Sequence, residues 1–272
     1  MTSNKICFIG AGNMSRSIIS GLVNSGYQPE LIEATNPSTP KLDALKADFA
    51  INTSSDNAAA AQRADVIILS VKPQLMQQVC EALATLDLSN KLIITIAAGI
   101  PATRYQDYFG QPIKLIRVMP NTPMQLGAGM SGLYAPDNIS AEQKAIAEAI
   151  IKTGGDTVWV DDEDGLNLVI ALAGSSPAYF FLFVEGMIEA GISMGMERDK
   201  ARKLAQQAAF GAARMLIENP QLTAAQLRQN VTSKGGTTHE AVETFKQGDL
   251  HGLTAKAMAN CIARAEEMAK QF

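Results

Sequence analysis

The stretch of sequence that decides the fold is KICFIGAGNMSRSIISGLVNSGY, residues 5–27. It opens with an apolar run that predicts a short buried strand, and residues 14–25 are compatible with a helix. Between them stand Gly10 and Gly12, with Ser15 where a third glycine or an alanine is usual. The first glycine lets the chain turn sharply, the second lets the backbone approach a pyrophosphate, and Ser15 is small enough for the helix to pack closely. The pattern predicts a dinucleotide-binding turn, and an ordinary strand-to-helix turn is the alternative.

The composition excludes several kinds of partner. With 272 residues, of which 47% are apolar, the chain can fill one large core or two modest ones. A formal net charge of −4 offers no basic face to a nucleic acid. The wholly apolar run at residues 178–184 is shorter than the ~20 residues of a membrane span, and residues 1–8 carry no secretory signal. Cys7, Cys80 and Cys261 lack metal-ligand spacing, so we predict no metal site, no membrane partner and a reducing, cytoplasmic location.

The first part of the chain alternates short apolar runs with helix-compatible segments. This alternation predicts an α/β fold in residues 1–161, a Rossmann-type, mainly parallel sheet with helices on both faces. The strands are expected to be apolar throughout, because both faces are covered. The predicted strands are residues 5–9, 31–35, 49–53, 66–71, 92–97, 114–119, 130–135 and 156–160, and the predicted helices are 14–25, 39–47, 73–86 and 141–153.

The second part of the chain, residues 162–272, reads as a separate all-α domain. Ser175, Ser176 and Pro177 predict a helix start, with hydroxyl caps and a proline in the first turn. The helix that follows is apolar almost all round, and such a helix must be buried on every side. We expect a second subunit to cover it, with burial inside its own domain as the alternative.

The end of the second predicted strand bears on the choice of cofactor. Roughly 20 residues beyond the glycine turn, an NAD site usually has an acid for the ribose diol. Glu33 lies inside the predicted strand, whereas its tip presents Thr35, Asn36 and Ser38, with Lys41 nearby. Hydroxyl and amide groups can meet a 2′-phosphate that a carboxylate would repel. The sequence therefore favours NADPH, with NADH as the alternative.

Two further loops are expected along the same edge of the sheet. SVKP, residues 70–73, leaves the fourth predicted strand, and IAAGI, residues 96–100, leaves the fifth. Ligands of open parallel sheets bind at these strand ends, so we predict that Lys72 contacts the cofactor. RVMPNTP, residues 117–123, forms a stiff loop after another strand, and its place relative to a ligand stays open.

A second informative stretch is NVTSKGGTTHEAVETF, residues 230–245. Gly235–Gly236 relaxes the backbone, and Thr237–Thr238 stands at the start of a predicted helix. Free N–H groups in such a place suit a carboxylate, and a capped interhelical turn is the alternative. We expect His239 and His251 to be structural or exposed.

Six motifs in this order resemble the Δ1-pyrroline-5-carboxylate reductase family over essentially the full length: IGAGNM, SVKP, IAAG, RVMPNTP, LAGSSPAYFF and, most specific, NVTSKGGTTHEAV. The resemblance implies a Rossmann domain followed by a helical dimerisation domain. It also implies reduction of a small cyclic imine, Δ1-pyrroline-5-carboxylate, to L-proline by NADPH or NADH, the last step of proline biosynthesis. The implied assembly is a homodimer through the helical domain, with a decamer left open.

Matched residue by residue, the resemblance implies two binding sites. Thr238 is the residue we expect to be catalytic, since its hydroxyl can hold the ring nitrogen. A protonated imine is already a strong electrophile, which accounts for the lack of an obvious strong acid. The implied substrate residues are Glu163, Ser233, Gly235, Gly236, Thr237 and Thr238, and the implied cofactor residues are Gly10, Ala11, Gly12, Asn13, Met14, Thr35, Asn36, Asn57, Ser70, Val71, Lys72, Pro73, Ala98 and Asn230.

Two other functions compete with this one. A β-hydroxyacid dehydrogenase also pairs a glycine turn with a helical domain, but it places a catalytic lysine on a helix of that domain. The corresponding helix here begins GSSPAYFFLFVEGM, residues 174–187, without a lysine. A regulator without catalysis would show a degraded second site, whereas Gly235–Gly236 and Thr237–Thr238 are intact. Both alternatives are therefore disfavoured.

Overall fold

The structure is a computed structural model that describes residues 4–271. Short 3-10 helices span Pro29–Leu31, Thr122–Leu126 and Lys152–Gly154, and a π-helical turn spans Ile170–Gly174. The strands are β1 (Ile6–Ile9), β2 (Ile32–Thr35), β3 (Asn52–Ser54), β4 (Val66–Leu69), β5 (Leu92–Thr95), β6 (Lys114–Met119), β7 (Gly129–Tyr134) and β8 (Gly155–Trp159). The helices are α1 (Asn13–Asn24), α2 (Thr39–Phe49), α3 (Asn57–Arg63), α4 (Pro73–Leu83), α5 (Ala102–Phe109), α6 (Ala141–Ile151), α7 (Gly165–Val169), α8 (Ser176–Ser193), α9 (Arg198–Glu218), α10 (Ala224–Asn230), α11 (Thr237–Gln247) and α12 (Leu250–Ala269).

The strands form one sheet of eight, in the order β3-β2-β1-β4-β5-β6-β7-β8. Neighbours from β3 to β6 are parallel, β7 runs antiparallel to β6, and β8 is parallel to β7. The order from β3 to β6 is that of dinucleotide-binding folds, which bind their ligand where the strand order reverses, here between β1 and β4. The predicted α/β class with a mainly parallel sheet is confirmed.

Two apolar clusters form the core, one on each face of the sheet. Because successive side chains of a strand point to opposite faces, Ile6 and Phe8 belong to one cluster and Cys7 and Ile9 to the other. Helices α1, α2 and α6 contribute to the first cluster, and α3, α4 and α5 to the second. The sheet is thereby covered on both faces, and its strand ends are held in a rigid frame.

The predicted strands differ from the observed ones mainly at the edges of the sheet. Strands β1, β4 and β5 are fully buried, as predicted. The expectation of strands apolar throughout is wrong for β3, an edge strand that reads NTS, and for β8, in which exposed and half-buried residues alternate. Strand β3 also begins later than predicted, because α2 continues to Phe49 and ends at Ala50 in the left-handed region, φ 56°. Helices α3 and α5 were not among the predicted elements.

The chain divides into two compact units, one made of residues up to Ser175 together with those from Asn260, the other of Ser176–Ala259. The first unit holds the whole sheet. In the second unit α8 packs against α9, and the rings of Phe183 and Phe245 lie 5.6 Å apart. The domain boundary at residues 161 and 162 stays a prediction.

Helix α8 begins at Ser176, as predicted, but the predicted hydroxyl cap is wrong, because Ser175 has helical dihedral angles and the chain enters α8 directly from α7 and the π-helical turn. The Ser175 N–H donates to the carbonyl oxygen of Ile170 at 2.8 Å, which is the bond that widens this turn. By length and composition alone, Gly165–Ser193 is the one helical segment among the described residues able to cross a membrane, weak evidence that core helices also satisfy.

Burial of α8 inside its own domain, the alternative left open by the sequence, is also wrong. None of the residues of α8 is buried in the single chain. Phe180 and Phe181 are 70% and 68% exposed, and Leu182 is 69% exposed. A face of this size with no cover within the chain is typical of a surface that binds another protein.

Candidate active site

The turn between β1 and α1 has the geometry of a phosphate-binding site. Gly10 has φ 109°, and a Cβ there would lie 2.8 Å from the carbonyl oxygen of Ser70, so only glycine fits. A Cβ on Gly12 would meet nothing within 4 Å, so the backbone at Gly12 faces open space. No side chain caps α1, and its first N–H groups lie at the positive end of the helix dipole. The predicted turn therefore presents free donors to an anion.

The hydroxyl groups of Ser15 and Ser70 hold this turn by hydrogen bonds to its carbonyl oxygens. Ser15 is fully buried, and its Oγ lies 2.7 Å from the carbonyl oxygen of Gly10 and 2.8 Å from Ser70 Oγ. Ser70 Oγ in turn lies 3.0 Å from the carbonyl oxygens of Ile9 and Gly10. Sequence reasoning considered only the small size of Ser15 and missed its hydroxyl. The available signal was a serine at a position where glycine or alanine is usual.

Of the two residues expected at the adenosine end of the cofactor, Thr35 and Asn36, only Asn36 has an accessible side chain. Thr35 is fully buried, and its hydroxyl donates to the carbonyl oxygen of Phe8 at 3.3 Å, so the expected contact through this hydroxyl is not available. Asn36 is half-buried, and its Nδ2 donates to Ser38 Oγ at 2.8 Å. Glu33 lies within β2, as predicted. Its carboxylate accepts from Arg63 at 2.7 Å and is 16% exposed.

The other expected cofactor residues of the first unit lie at the same edge of the sheet. In the register of the strands, Ile9 stands opposite Leu69, and Leu69 stands opposite Thr95, so the three carboxyl ends are level. Residues 70–73 and Ala98 follow two of these ends directly, and Asn57 begins α3. Val71 and Ala98 are half-buried, whereas Lys72 is exposed immediately before α4. Within the first unit, the structure thus places these residues at one edge of the sheet, and Asn230 belongs to the second unit.

Glu163, expected to bind substrate, has partners of its own in the first unit. Its Oε1 lies 2.6 Å from Arg117 Nη1 in β6 and accepts from the Ala102 N–H, also at 2.6 Å. Arg117 is 11% exposed and Glu163 27% exposed, so the pair is largely shielded from water. A carboxylate at the first N–H of α5 also suits the helix dipole. Glu163 therefore fixes the start of α5, and sequence reasoning missed Arg117 as its partner.

Two hydrogen bonds of the Asn121 side chain hold the loop that follows β6. Asn121 Nδ2 donates to the carbonyl oxygen of Ala173 at 3.0 Å, and its Oδ1 accepts from the Met130 N–H at 2.9 Å. Pro177, four residues after Ala173, has no N–H to give to that carbonyl. Asn121 supplies the missing donor, so within this unit the RVMPNTP loop has a structural role.

The glycine-threonine stretch of the second unit also begins a helix without a side-chain cap. Gly235 has φ 71°, and the Gly236 N–H donates to the carbonyl oxygen of Ser233 at 3.0 Å. Helix α11 starts at Thr237, capped only by the backbone of Gly236. Thr237–Thr238 is exposed, and within the described residues its hydroxyls have no hydrogen-bond partner. The free N–H groups and hydroxyls together offer a site for a carboxylate and a neighbouring polar group.

Two parts of the chain match known protein families. Residues 5–99 match the family described as NADP oxidoreductase, coenzyme F420-dependent. Residues 163–268 match the family described as pyrroline-5-carboxylate reductase dimerisation. Apart from α12, which continues to Ala269, the second match covers the helices from α7 onward, and the first covers the glycine turn and strands β1 to β5.

Individual proteins resemble the chain from end to end. The pyrroline-5-carboxylate reductase of Vibrio alginolyticus is 53% identical over 272 residues, which is all of both chains. The structure of a pyrroline-5-carboxylate reductase from Coxiella burnetii superposes with a TM-score of 0.93 at 40% identity, over 98% of this chain and 99% of that one. A Plasmodium falciparum pyrroline carboxylate reductase with NADP bound superposes with a TM-score of 0.87 at 26% identity, over 99% of each chain.

Proposed function

The chain belongs to the pyrroline-5-carboxylate reductase family, and from that membership we infer its reaction: it reduces Δ1-pyrroline-5-carboxylate to L-proline with NADPH. The single observation that carries this function is the full-length identity of 53% with a named reductase. The geometry of the glycine turn and of the α11 start is in keeping with it. The enzyme is an oxidoreductase that acts on a C=N bond.

The residues at the carboxyl edge of the sheet suit NADPH. The N-terminus of α1, where Gly12 leaves open space, would hold the pyrophosphate. Asn36 and Ser38 offer amide and hydroxyl groups to a 2′-phosphate. The Glu33 carboxylate in β2 is paired with Arg63 of α3, whose positive charge offsets its repulsion of that phosphate. Lys72 is exposed immediately before α4, and its ammonium group has no hydrogen bond or ion pair among the described residues, so its charge is available to the cofactor.

The start of α11 provides the substrate site in this proposal. Backbone N–H groups between Ser233 and Thr237, other than that of Gly236, which donates to the Ser233 carbonyl oxygen, hold the substrate carboxylate at the positive end of the helix dipole. The Thr238 hydroxyl accepts a hydrogen bond from the protonated ring nitrogen and orients the ring. Bound NADPH supplies the hydride. Because the iminium carbon is already electrophilic, these residues act by orientation, which can contribute roughly 7–11 kcal/mol to lowering a barrier.

We assign Glu163 a positioning role in this scheme in addition to the expected substrate contact. Its Oε1 accepts from both Arg117 and the first N–H of α5, whereas Oε2 keeps its acceptor capacity, so substrate contact through Oε2 stays a prediction from the resemblance. Glu163 holds the loop that leaves β5, and this loop contains Ala98. The expected role of Asn230, at the end of α10, stays a prediction from the resemblance.

The protein is an oligomer in this proposal, with a homodimer through the helical unit as the basic assembly. The match to a dimerisation family and the exposed apolar face of α8 support it. A decamer is the larger assembly to test for by light scattering. We also propose a cytoplasmic location, which suits the buried free thiols Cys7 and Cys80.

An assay of the purified protein tests the reaction directly. Mixed with NADPH and Δ1-pyrroline-5-carboxylate, the protein is expected to oxidise the cofactor, followed by its absorbance, and to form proline in equal amount. NADH in place of NADPH tests the cofactor preference, and a β-hydroxyacid with NADP serves as the control for the dehydrogenase alternative. Turnover of the hydroxyacid without turnover of the imine would contradict the proposal.

A further inference from the structure

The two serines beneath the glycine turn control the direction of a peptide group. Each hydroxyl has a single proton. When Ser15 donates to Ser70 Oγ at 2.8 Å, Ser70 donates to a carbonyl of the turn at 3.0 Å. When Ser15 instead donates to the Gly10 carbonyl at 2.7 Å, Ser70 still reaches the Ile9 carbonyl. In either arrangement, the hydroxyl protons hold carbonyl oxygens of the turn.

A fixed carbonyl at Gly10 fixes the N–H group on the other side of the same peptide plane. The peptide bond is planar and trans, so the Ala11 N–H points away from the Gly10 carbonyl. The carbonyl faces the hydroxyls of Ser15 and Ser70, and the N–H therefore points away from them. The two serine hydroxyls thus set the orientation of the Ala11 N–H and of the start of α1 before any ligand binds.

We propose that Ser15 is a positioning residue for the cofactor: its buried hydroxyl pre-orients the phosphate-binding turn. The proposal rests on the assigned function, in which the pyrophosphate of NADPH lies at this turn. Glycine or alanine at the same place allows the helix to pack but cannot bind the carbonyl. Pre-orientation lowers the cost of ordering the turn on binding, so it strengthens cofactor affinity without taking part in hydride transfer.

The test compares Ser15→Ala with a matched control on the same helix, Ser17→Ala. Ser17 is 9% exposed, and its hydroxyl donates only to the carbonyl oxygen of Asn13 within α1, at 2.9 Å. We expect Ser15→Ala to raise the Kd and the KM for NADPH about 3- to 12-fold, the effect of one lost hydrogen bond. The kcat at saturating NADPH and the KM for the imine should stay within about 2-fold of the wild type, a split expected for ground-state binding alone. Ser17→Ala should leave all four constants unchanged.

The affinities of two cofactor fragments distinguish an effect on the phosphate-binding turn from a general loosening of the fold. The 2′-phosphate of ADP-ribose, which contains the pyrophosphate, should lose affinity by the same factor as NADPH in Ser15→Ala. Adenosine 2′-monophosphate, which lacks the pyrophosphate, should bind both proteins equally. The variants Ser70→Ala and Ser15→Ala/Ser70→Ala should show coupling, the double loss being smaller than the product of the single losses.

Each remaining outcome overturns the inference. A wild-type affinity for NADPH in folded Ser15→Ala, an equal loss in Ser17→Ala, or an equal loss for both fragments would show that the hydroxyl does not act through the turn. Failure of the assigned function is separate from these, since the wild-type protein itself would then neither bind NADPH nor reduce the imine.

Discussion

At the scale of single residues, ion pairs determine how available a carboxylate is to a ligand. Glu33 lies in β2, the strand that carries the acid in many dinucleotide sites, but its carboxylate is paired with Arg63 of α3. Glu163 stands where an acid could meet substrate, but Arg117 and the Ala102 N–H bind it. Arg117 is 11% exposed, so Glu163 gives up this partner only at a cost. Arg63, in contrast, is 54% exposed, and its pair with Glu33 is weaker.

Loss of the Glu163 charge should weaken the fold more than loss of an exposed acid. Glu163→Gln removes the negative charge that pairs with the 11% exposed Arg117 guanidinium, and we expect the free energy of unfolding to fall by about 1–3 kcal/mol. Asp48→Asn is the control, since its pair with Arg16 is 45% and 47% exposed and such pairs contribute little. Urea titration of both variants measures the difference, and an equal effect in the two would show that the Glu163 pair is not a structural anchor.

The Thr238 hydroxyl should affect catalysis and leave cofactor binding intact. In Thr238→Ala the protonated ring nitrogen loses a hydrogen bond to a charged donor, worth about 1.5–3 kcal/mol. We expect kcat divided by the KM for the imine to fall about 10- to 150-fold. The Kd for NADPH, measured by fluorescence, should match the wild type. Unchanged turnover would remove Thr238 from the mechanism.

The buried thiols Cys7 and Cys80 should make stability depend on alkaline pH. Burial in the apolar core raises the pKa of each thiol from 9.0 to about 12, and nearby Glu33 and Glu81 add to the effect. The unfolded chain ionises above pH 9 and the folded chain does not, so this stability is present below pH 9 and is lost between pH 9 and about 12.

Urea unfolding of the wild type and of Cys80→Ala across this range measures the effect. Each thiol should lower the free energy of unfolding by about 1 kcal/mol per pH unit above 9. The wild type should therefore lose stability more steeply than Cys80→Ala, and the two slopes should agree below pH 8. Parallel curves at high pH would show that Cys80 ionises in the folded protein as it does in the unfolded chain.

At the scale of elements, the starts of the helices divide into two kinds. Helices α6 and α10 begin with capping boxes, Ser140 with Gln143 and Thr223 with Gln226. Helices α1 and α11 begin after Gly12 and Gly236 with no side-chain cap. A capped start uses its own N–H groups, whereas an uncapped start leaves them for an anion. The two uncapped glycine starts are the ones assigned to pyrophosphate and to carboxylate.

The two glycines of the β1–α1 turn should respond differently to a methyl group. Gly10→Ala forces a Cβ to 2.8 Å from the Ser70 carbonyl oxygen at φ 109°, so we expect a loss of about 1–3 kcal/mol in the free energy of unfolding. Gly12→Ala has φ −80° and open space, so stability should be retained while the methyl group obstructs the pyrophosphate. Thermal unfolding and the Kd for NADPH, measured on both variants, separate the two effects. Normal NADPH affinity in Gly12→Ala would place the phosphate elsewhere.

At the scale of the whole molecule, the exposed apolar surface of the second unit predicts that another subunit covers it. Phe181 on α8 is 68% exposed in the single chain. Phe181→Asp removes about 2 kcal/mol of burial per subunit and adds a charge at the proposed interface, so the dimer should dissociate to monomers. Sedimentation analysis measures the mass. Leu126→Asp, at an 83% exposed position of the first unit, is the control and should keep the wild-type mass. A dimer that persists in Phe181→Asp would place the interface on another face.

Much of the first unit was predictable because its signals are local. All eight predicted strands are present, since short apolar runs between turn residues reflect burial of both strand faces. Helices α3 and α5 were not predicted, because they have only seven and eight residues, too few for a helical period to stand out in the sequence. The residues of the two proposed sites were found from glycine patterns and from the resemblance, and their roles stay predictions.

What the sequence by itself determined is the alternation of strands and helices, the glycine turn and the glycine-threonine start of α11. Each depends on backbone sterics and periodicity within a few residues. Only the tertiary structure decided that Ser15 binds Ser70, that Arg117 binds Glu163 and that Thr35 is buried, because these partners stand 55, 46 and 27 residues apart along the chain. Contacts at such separations follow from strand order and register, which place distant residues side by side and leave no local trace in the sequence.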